Sequence, residues 1–193
     1  MSEESLRLAV LMGSVREGRF GPTVANWFAD QARQHGSMEV DLIDLADTPL
    51  PVTLTSQPEP EVAEMLATLT PRLEAADAFV VVTPEYNHSF PAALKSAIDW
   101  HYTQWRAKPV GFVSYGGMGG GLRAVEQLRL VLAEMHAVTI RDGVSLHMVW
   151  EKFDHEGQAV DPNSNAAAKT MLDQLTWWAA ALHTARTHHP YTA

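Results

Sequence analysis

The sequence predicts an α/β domain built as a three-layer sandwich, with helices on both faces of a parallel sheet. Short apolar runs alternate with amphipathic stretches along the whole chain, the pattern of repeated β-α units. The 193 residues match a single domain, 1–193, by the usual scale of roughly 100–200 residues per domain. No internal repeat, linker or low-complexity tract interrupts that order.

The elements follow in sequence. Leu6 to Met12 is an apolar run ending at Gly13, as a buried parallel strand does. A helix is expected from Pro22 to His35, with Val24, Trp27, Phe28 and Ala32 on its buried face. Met38 to Ile43 reads as the second strand. Asp47 to Pro60, rich in proline and threonine, reads as a surface loop rather than a lid. Val62, Met65, Leu66 and Leu69 mark a helical face. Pro71 is expected to end it, with Thr70 capping a second short helix. Ala78 to Thr83 is the third strand, and Leu94 and Ile98 sit one turn apart on the next helix. Pro109 to Tyr115 is the fourth strand, and Leu122, Val125, Leu128 and Leu132 form the next buried stripe. Ala137 to Ile140 and Val144 to Val149 are strand-like pieces. Met171, Leu175, Trp178 and Leu182 line one face of a long final helix. Five parallel strands suit the flavodoxin-like order 2-1-3-4-5, whose ligands bind beyond the carboxyl ends of the strands.

Composition narrows the chemistry. The chain has no cysteine, which excludes disulfides, thiolate nucleophiles and cysteine-bound metal centres. A formal net charge of −9 disfavours nucleic acid and anionic membranes as partners. Met1 to Ser5 carries two acids and no basic run, unlike a secretory leader, and the expected location is the cytoplasm. In so acidic a chain, the placement of each arginine matters more than the total.

Three strand ends carry unusual residues. After the first strand, Gly13 to Thr23 holds three glycines, two hydroxyls and two arginines and leads into a helix. A helix N-terminus offers unpaired N–H groups and partial positive charge to an anion. Ser14 and Thr23 add hydroxyl donors, and Arg16 and Arg19 add charge. The loop matches neither the P-loop nor the G-x-G-x-x-G pattern. After the third strand, Pro84 and Tyr86 offer an apolar wall to a flat ring, and Glu85, Tyr86 and Asn87 offer polar groups to its edge. Ser89 is placed to cap the following helix. After the fourth strand, Ser114 to Gly121 holds five glycines within six residues, which lets backbone approach a planar ligand. A phosphate site beside two ring sites describes a mononucleotide.

The segments GSVREGRFGPTVA, PEYNHSFPAALKSAIDW and SYGGMGGGLRAVEQLR resemble the NADPH-dependent FMN reductase family, which includes quinone, chromate and azo-dye reductases. The resemblance spans roughly Leu6 to Leu132. It implies non-covalent FMN, NADPH or NADH as co-substrate, and a small-molecule electron acceptor such as a quinone, free flavin, azo compound or metal oxyanion. It also implies a homodimer or a dimer of dimers. By motif, Ser14, Arg16, Arg19, Phe20 and Gly21 would surround the phosphate and ribityl chain. Pro84, Glu85, Tyr86 and Asn87 would border the ring, and Ser114, Gly116 and Gly117 would close its other side. Family members often have Ser in place of Arg19, so Arg19 either pairs with the phosphate or points to solvent. No side chain is required as a catalytic group, because the flavin carries the chemistry. An alternative is a flavodoxin-type electron carrier without NAD(P)H turnover.

His88 reads as a packing or interface residue rather than a proton donor. His183, His188 and His189 show no metal-ligand pattern and read as part of a solvated tail. Trp100, Tyr102 and Trp105 fit either a dimer interface or core packing.

Overall fold

A computed structural model describes residues 5–192. Apart from Ser5, the stretch Met1 to Ser5 lies outside the described residues.

The strands and helices alternate as expected: β1 (Arg7–Met12), α1 (Gly21–His35), β2 (Glu39–Asp44), α2 (Pro60–Ala75), β3 (Ala78–Pro84), α3 (Ala92–Asp99), β4 (Pro109–Tyr115), α4 (Leu122–Glu134), β5 (Val138–Thr139), β6 (Val144–Leu146) and α5 (Pro162–His188). The sheet order is β2-β1-β3-β4-β5, with β6 also paired to β4. Every pairing is parallel. The fifth position is therefore shared by two short pieces, β5 beside the start of β4 and β6 beside its end.

Alternate residues of the strands face opposite layers. Leu8, Val10, Met12, Val80 and Val82 pack with α1 and α5 through Trp27, Phe28, Met171 and Leu175. Ala9, Leu11, Phe79 and Val81 pack with α2, α3 and α4 through Leu73, Leu94, Ile98 and Leu128. The register brings the strand ends level, with Met12 beside Asp44, Pro84 beside Tyr115 and Tyr115 beside Leu146. The loops after β1, β3 and β4 consequently share one edge.

Some local expectations are corrected. Helix α2 runs unbroken through Pro71. Proline deprives the carbonyl of Ala67 of its helical partner, but Pro71 and Ala67 are both exposed, so the loss falls on the outer face of the helix rather than in the core. Buried Leu69 and Leu73 anchor the helix on either side. Thr70 caps nothing; its hydroxyl meets His101 Nε2 at 2.9 Å. Ser89 does not cap α3, which begins after Pro91 without a side-chain cap; its hydroxyl donates to Gln127 Oε1 at 2.6 Å. Leu122 is exposed, whereas Val125, Leu128 and Leu132 are buried. On α5 the buried face runs through Ala168, Met171, Leu172, Leu175 and Ala179, leaving Trp178 exposed and Leu182 half-buried.

Residues 45–59 form a surface loop, held where Trp100 Nε1 donates to Pro51 O at 2.8 Å. Trp105 is a core residue whose ring lies 4.7 Å from that of Phe79, tilted by 49°, and Tyr102 is exposed. His183 is no tail residue: its Nδ1 lies 2.7 Å from Asp77 Oδ1. No helix among the described residues is long and apolar enough to cross a membrane.

His101 links α2 to α3. It is almost fully buried, donates from Nδ1 to Ala97 O at 2.8 Å and accepts from Thr70. Burial holds its pKa below the ordinary 6.5, outweighing the carbonyl of Ala97 and the charge of Glu74. The unfolded chain therefore takes up this proton more readily than the folded one. The stability that neutral His101 provides is complete above about pH 6.5 and declines as pH falls below it. Thermal unfolding at pH 7.5 and 5.5 should show that decline, and His101→Gln should shrink it; an equal decline in the variant would refute the assignment.

Candidate active site

The loop after β1 leaves the sheet at Gly13, whose N–H donates to Val82 O at 2.9 Å. Two bulky groups then crowd the start of α1. A Cβ on Gly21 would lie 2.9 Å from the Tyr115 hydroxyl and 3.3 Å from Met12 Cγ, so a larger residue here would have to displace one of these side chains. The N–H groups of Ser14 to Gly18, Phe20, Gly21 and Thr23 donate to no group among the described residues. They form a row of donors at a helix N-terminus, which favours negative charge.

The two arginines of this loop have different surroundings. Arg19 neither waits for a ligand nor points to solvent. Its Nη1 donates to Asp44 Oδ1 at 2.7 Å, its Nη2 pairs with Oδ2 of the same carboxylate, and Nη1 also reaches the carbonyl of Ser14. The Asp44 carboxylate holds the guanidinium above its ordinary pKa. Arg16 is exposed, its carbonyl accepts from Arg19 N–H at 3.2 Å, and its side chain makes no hydrogen bond or ion pair among the described residues. Phe20 turns inward and packs 5.8 Å from Phe153.

Ser14 is buried, and its hydroxyl lies 2.7 Å from Tyr86 Oη. This contact ties the first loop to the second. The Tyr115 phenol lies in the same cluster. Burial pushes its pKa up, with Tyr86 adding to the shift and Ser14 and Arg19 opposing it, so it stays a neutral hydroxyl.

The loop after β3 closes on a tight turn. Tyr86 N–H donates to Ser89 O at 2.8 Å and Ser89 N–H to Tyr86 O at 3.0 Å. Asn87 and His88 between them take φ of 50° and 68°, the left-handed region that non-glycine residues seldom enter. Helix α4 holds the turn there. Arg123 pairs with Glu85, its Nη1 lies 2.7 Å from His88 Nε2, and Gln127 donates to His88 O at 2.7 Å. A guanidinium only donates, so His88 Nε2 accepts and carries no proton in this contact.

The loop after β4 is threaded between side chains. Ser114 Oγ and Ser145 Oγ donate to Gly120 O at 2.8 and 2.9 Å, and His147 Nδ1 lies 2.7 Å from Met118 O. Gly116 N–H donates to Leu146 O at 3.2 Å. The N–H groups of Gly117, Met118 and Gly119 have no acceptor among the described residues. A cleft of about 310 Å³ lies between this loop and Glu85, Asn87 and His88. Trp150 is exposed, and its ring edge lies 3.5 Å from where a Gly117 Cβ would be.

The twelve expected residues thus share one edge of the sheet. Arg19, Glu85 and Ser114 brace the loops with their side chains, while the Arg16 side chain, the Tyr86 ring, Asn87 and the bare amides are not engaged in this way. Tyr115, Arg123, Gln127, Ser145 and His147 were not expected. Arg123 carried a readable signal: a cation in the first turn of a helix opposes the dipole, which calls for a nearby carboxylate. The donor set fits FMN, with charge and free amides at one end for a phosphate and glycine amides at the other for a ring.

A family model described as NADPH-dependent FMN reductase matches residues 6–151. The chain belongs to this family. A quinone reductase of Escherichia coli is 37% identical over 182 residues, covering 90% of this chain and 88% of that protein. An NAD(P)H-dependent FMN reductase of Schizosaccharomyces pombe is 37% identical over 122 residues, 60% of each chain; that match spans less than two thirds of the relative. Among solved structures, the flavoenzyme NAD(P)H:(acceptor) oxidoreductase FerB of Paracoccus denitrificans superposes with a TM-score of 0.74 at 23% identity, covering 91% of this chain and 98% of that one. This likeness supports the flavodoxin-like fold. As a member of the FMN reductase family, the chain is a flavin-dependent oxidoreductase that uses NAD(P)H.

Proposed function

We propose that the chain holds FMN across the C-terminal edge of its sheet and passes electrons from NADPH or NADH to a small acceptor such as a quinone. The observation that carries this is the pair of free-amide rows on one edge, the first beside Arg16 at the start of α1, the second along Gly117 to Gly119. In this reading the α1 loop takes the phosphate and ribityl chain through Ser14, Arg16, Phe20 and Gly21, with Arg19 holding the loop to β2. Pro84, Tyr86 and Asn87 border the ring on one side and Gly116 and Gly117 on the other. Glu85 positions Arg123, and Ser114 positions Gly120. Bound FMN supplies the redox chemistry. The protein's part is to orient the ring, keep water from one side of it and offer N–H dipoles to the charge that develops there.

The name of the Escherichia coli relative supports a quinone as acceptor. A homodimer or dimer of dimers belongs to the same proposal, with exposed Tyr102, Leu130 and Trp177 as available apolar surface; a monomer in sedimentation velocity would overturn that part. A cytoplasmic location completes it, and cell fractionation tests it.

The deciding experiment is a visible spectrum of the purified protein, followed by FMN titration and by NADH and NADPH oxidation with menadione. A flavin spectrum with steady turnover is expected. A colourless protein that gains no flavin absorbance with added FMN would overturn the cofactor assignment. A yellow protein that oxidises almost no nicotinamide would instead be an electron carrier.

A further inference from the structure

We infer that His147 is a positioning residue that locks the Met118–Gly119 peptide so that the Gly119 N–H faces the flavin ring. This rests on the ring lying against the glycine loop, as proposed above. His147 follows β6, the strand piece beside the end of β4. Its Nδ1 lies 2.7 Å from Met118 O. A carbonyl only accepts, so Nδ1 carries the proton. The described chain has no cis peptide, and in a trans peptide the C=O and the next N–H point to opposite sides. Drawing the Met118 carbonyl toward His147 therefore turns the Gly119 N–H away from it. Gly119 lines the cleft shared with Glu85 and Asn87, and its N–H has no other acceptor among the described residues.

The neighbouring glycine makes this contact possible. A Cβ on Gly120 would lie 2.7 Å from His147 Nε2 and 2.5 Å from Ser145 Oγ. The bare Cα lets both side chains close over the loop, at a φ of 57° that also favours glycine. Ser145 and Ser114 then fix the Gly120 carbonyl while His147 fixes that of Met118. Without the imidazole, the Met118–Gly119 peptide is free to rotate, because Gly119 has no side chain to resist it. A fixed N–H facing the ring favours negative charge on it without reorganisation. His147 thereby raises both FMN affinity and the flavin midpoint potential, without contacting substrate.

The test compares His147→Ala, His147→Asn and Gly120→Ala with the native protein. Asparagine keeps a short side-chain N–H where histidine has Nδ1. FMN dissociation constants come from titration of the apoproteins, midpoint potentials from the loaded proteins, and Gly119 amide exchange from the apoproteins. His147→Ala is expected to weaken FMN about fivefold, the equivalent of one ordinary hydrogen bond, to move the potential negative and to speed Gly119 exchange. Gly120→Ala should do the same by displacing the imidazole, and His147→Asn should restore all three. Unchanged affinity and potential in His147→Ala overturn the inference, even if the apoprotein melts lower. Failure of the asparagine variant to restore them also overturns it. A native protein that takes up no FMN refutes the cofactor reading itself; unaltered Gly119 exchange in His147→Ala then separately refutes the lock.

Discussion

Replacing Gly121 by alanine is expected to lower folding stability by about 3 kcal/mol. Two effects add. Gly121 has a φ of 82°, and an L-residue in left-handed conformation costs roughly 1–2 kcal/mol. The new methyl would also lie 2.6 Å from Ser114 Cβ and 2.9 Å from Tyr115 N. Those atoms belong to a central strand, so relief requires moving backbone, and overpacking of this kind costs about 1–3 kcal/mol. In a chain of this size the melting temperature should fall by roughly 6–12 °C. Gly18→Ala is the control: its φ is 63°, but nothing lies within 4 Å of the added Cβ, leaving only the conformational cost. Equal melting temperatures for the two variants would show that the close approach to β4 is not what requires glycine.

Arg16→Ala is expected to weaken FMN binding by about 1.5–3 kcal/mol, the range for a charged hydrogen bond, and to leave the apoprotein's melting temperature unchanged. Arg19→Ala should behave differently. Its guanidinium is held by Asp44 and Ser14 O, with side-chain exposures of 17% for Arg19 and 22% for Asp44. Removing it leaves a half-buried carboxylate without its cation, so the apoprotein itself should lose about 1–2 kcal/mol after allowance for solvent screening. Melting curves and FMN titrations on both apoproteins separate the two roles. An Arg16 variant with the native FMN dissociation constant would remove Arg16 from the phosphate site.

The contrast between these arginines shows how far the sequence could be read. The positions of β1, β3 and β4 were legible because each is an apolar run bounded by a turn residue, the mark of parallel strands buried on both faces. In contrast, β2, at the border of the sheet, mixes acids with apolar residues and is largely half-buried. The three site loops were legible because glycines gather after β1 and β4, and Pro84-Glu85-Tyr86-Asn87 follows β3 directly. Arg19 was not legible. Its partner Asp44 lies 25 residues away at the end of another strand, and only the register of β1 with β2 brings them together. His147 was hidden for the same reason: β6 had to lie beside β4 before its imidazole could reach the glycine loop. Pro71 misled because a local helix-breaking rule takes no account of buried Leu69 and Leu73 or of the exposed position of Pro71 and Ala67.

The two borders of the sheet also bear on how this molecule can associate. On one side β2 presents Glu39, Asp41 and Asp44 along a strand of only six residues. On the other, the fifth position is broken into pieces of two and three residues. Acidic side chains and short, interrupted strands both discourage another chain from adding a strand. Growth of the sheet into fibres or swapped dimers is thereby disfavoured at both ends. Helices and loops, the elements that surround the cleft, are the surfaces this leaves open to a partner copy.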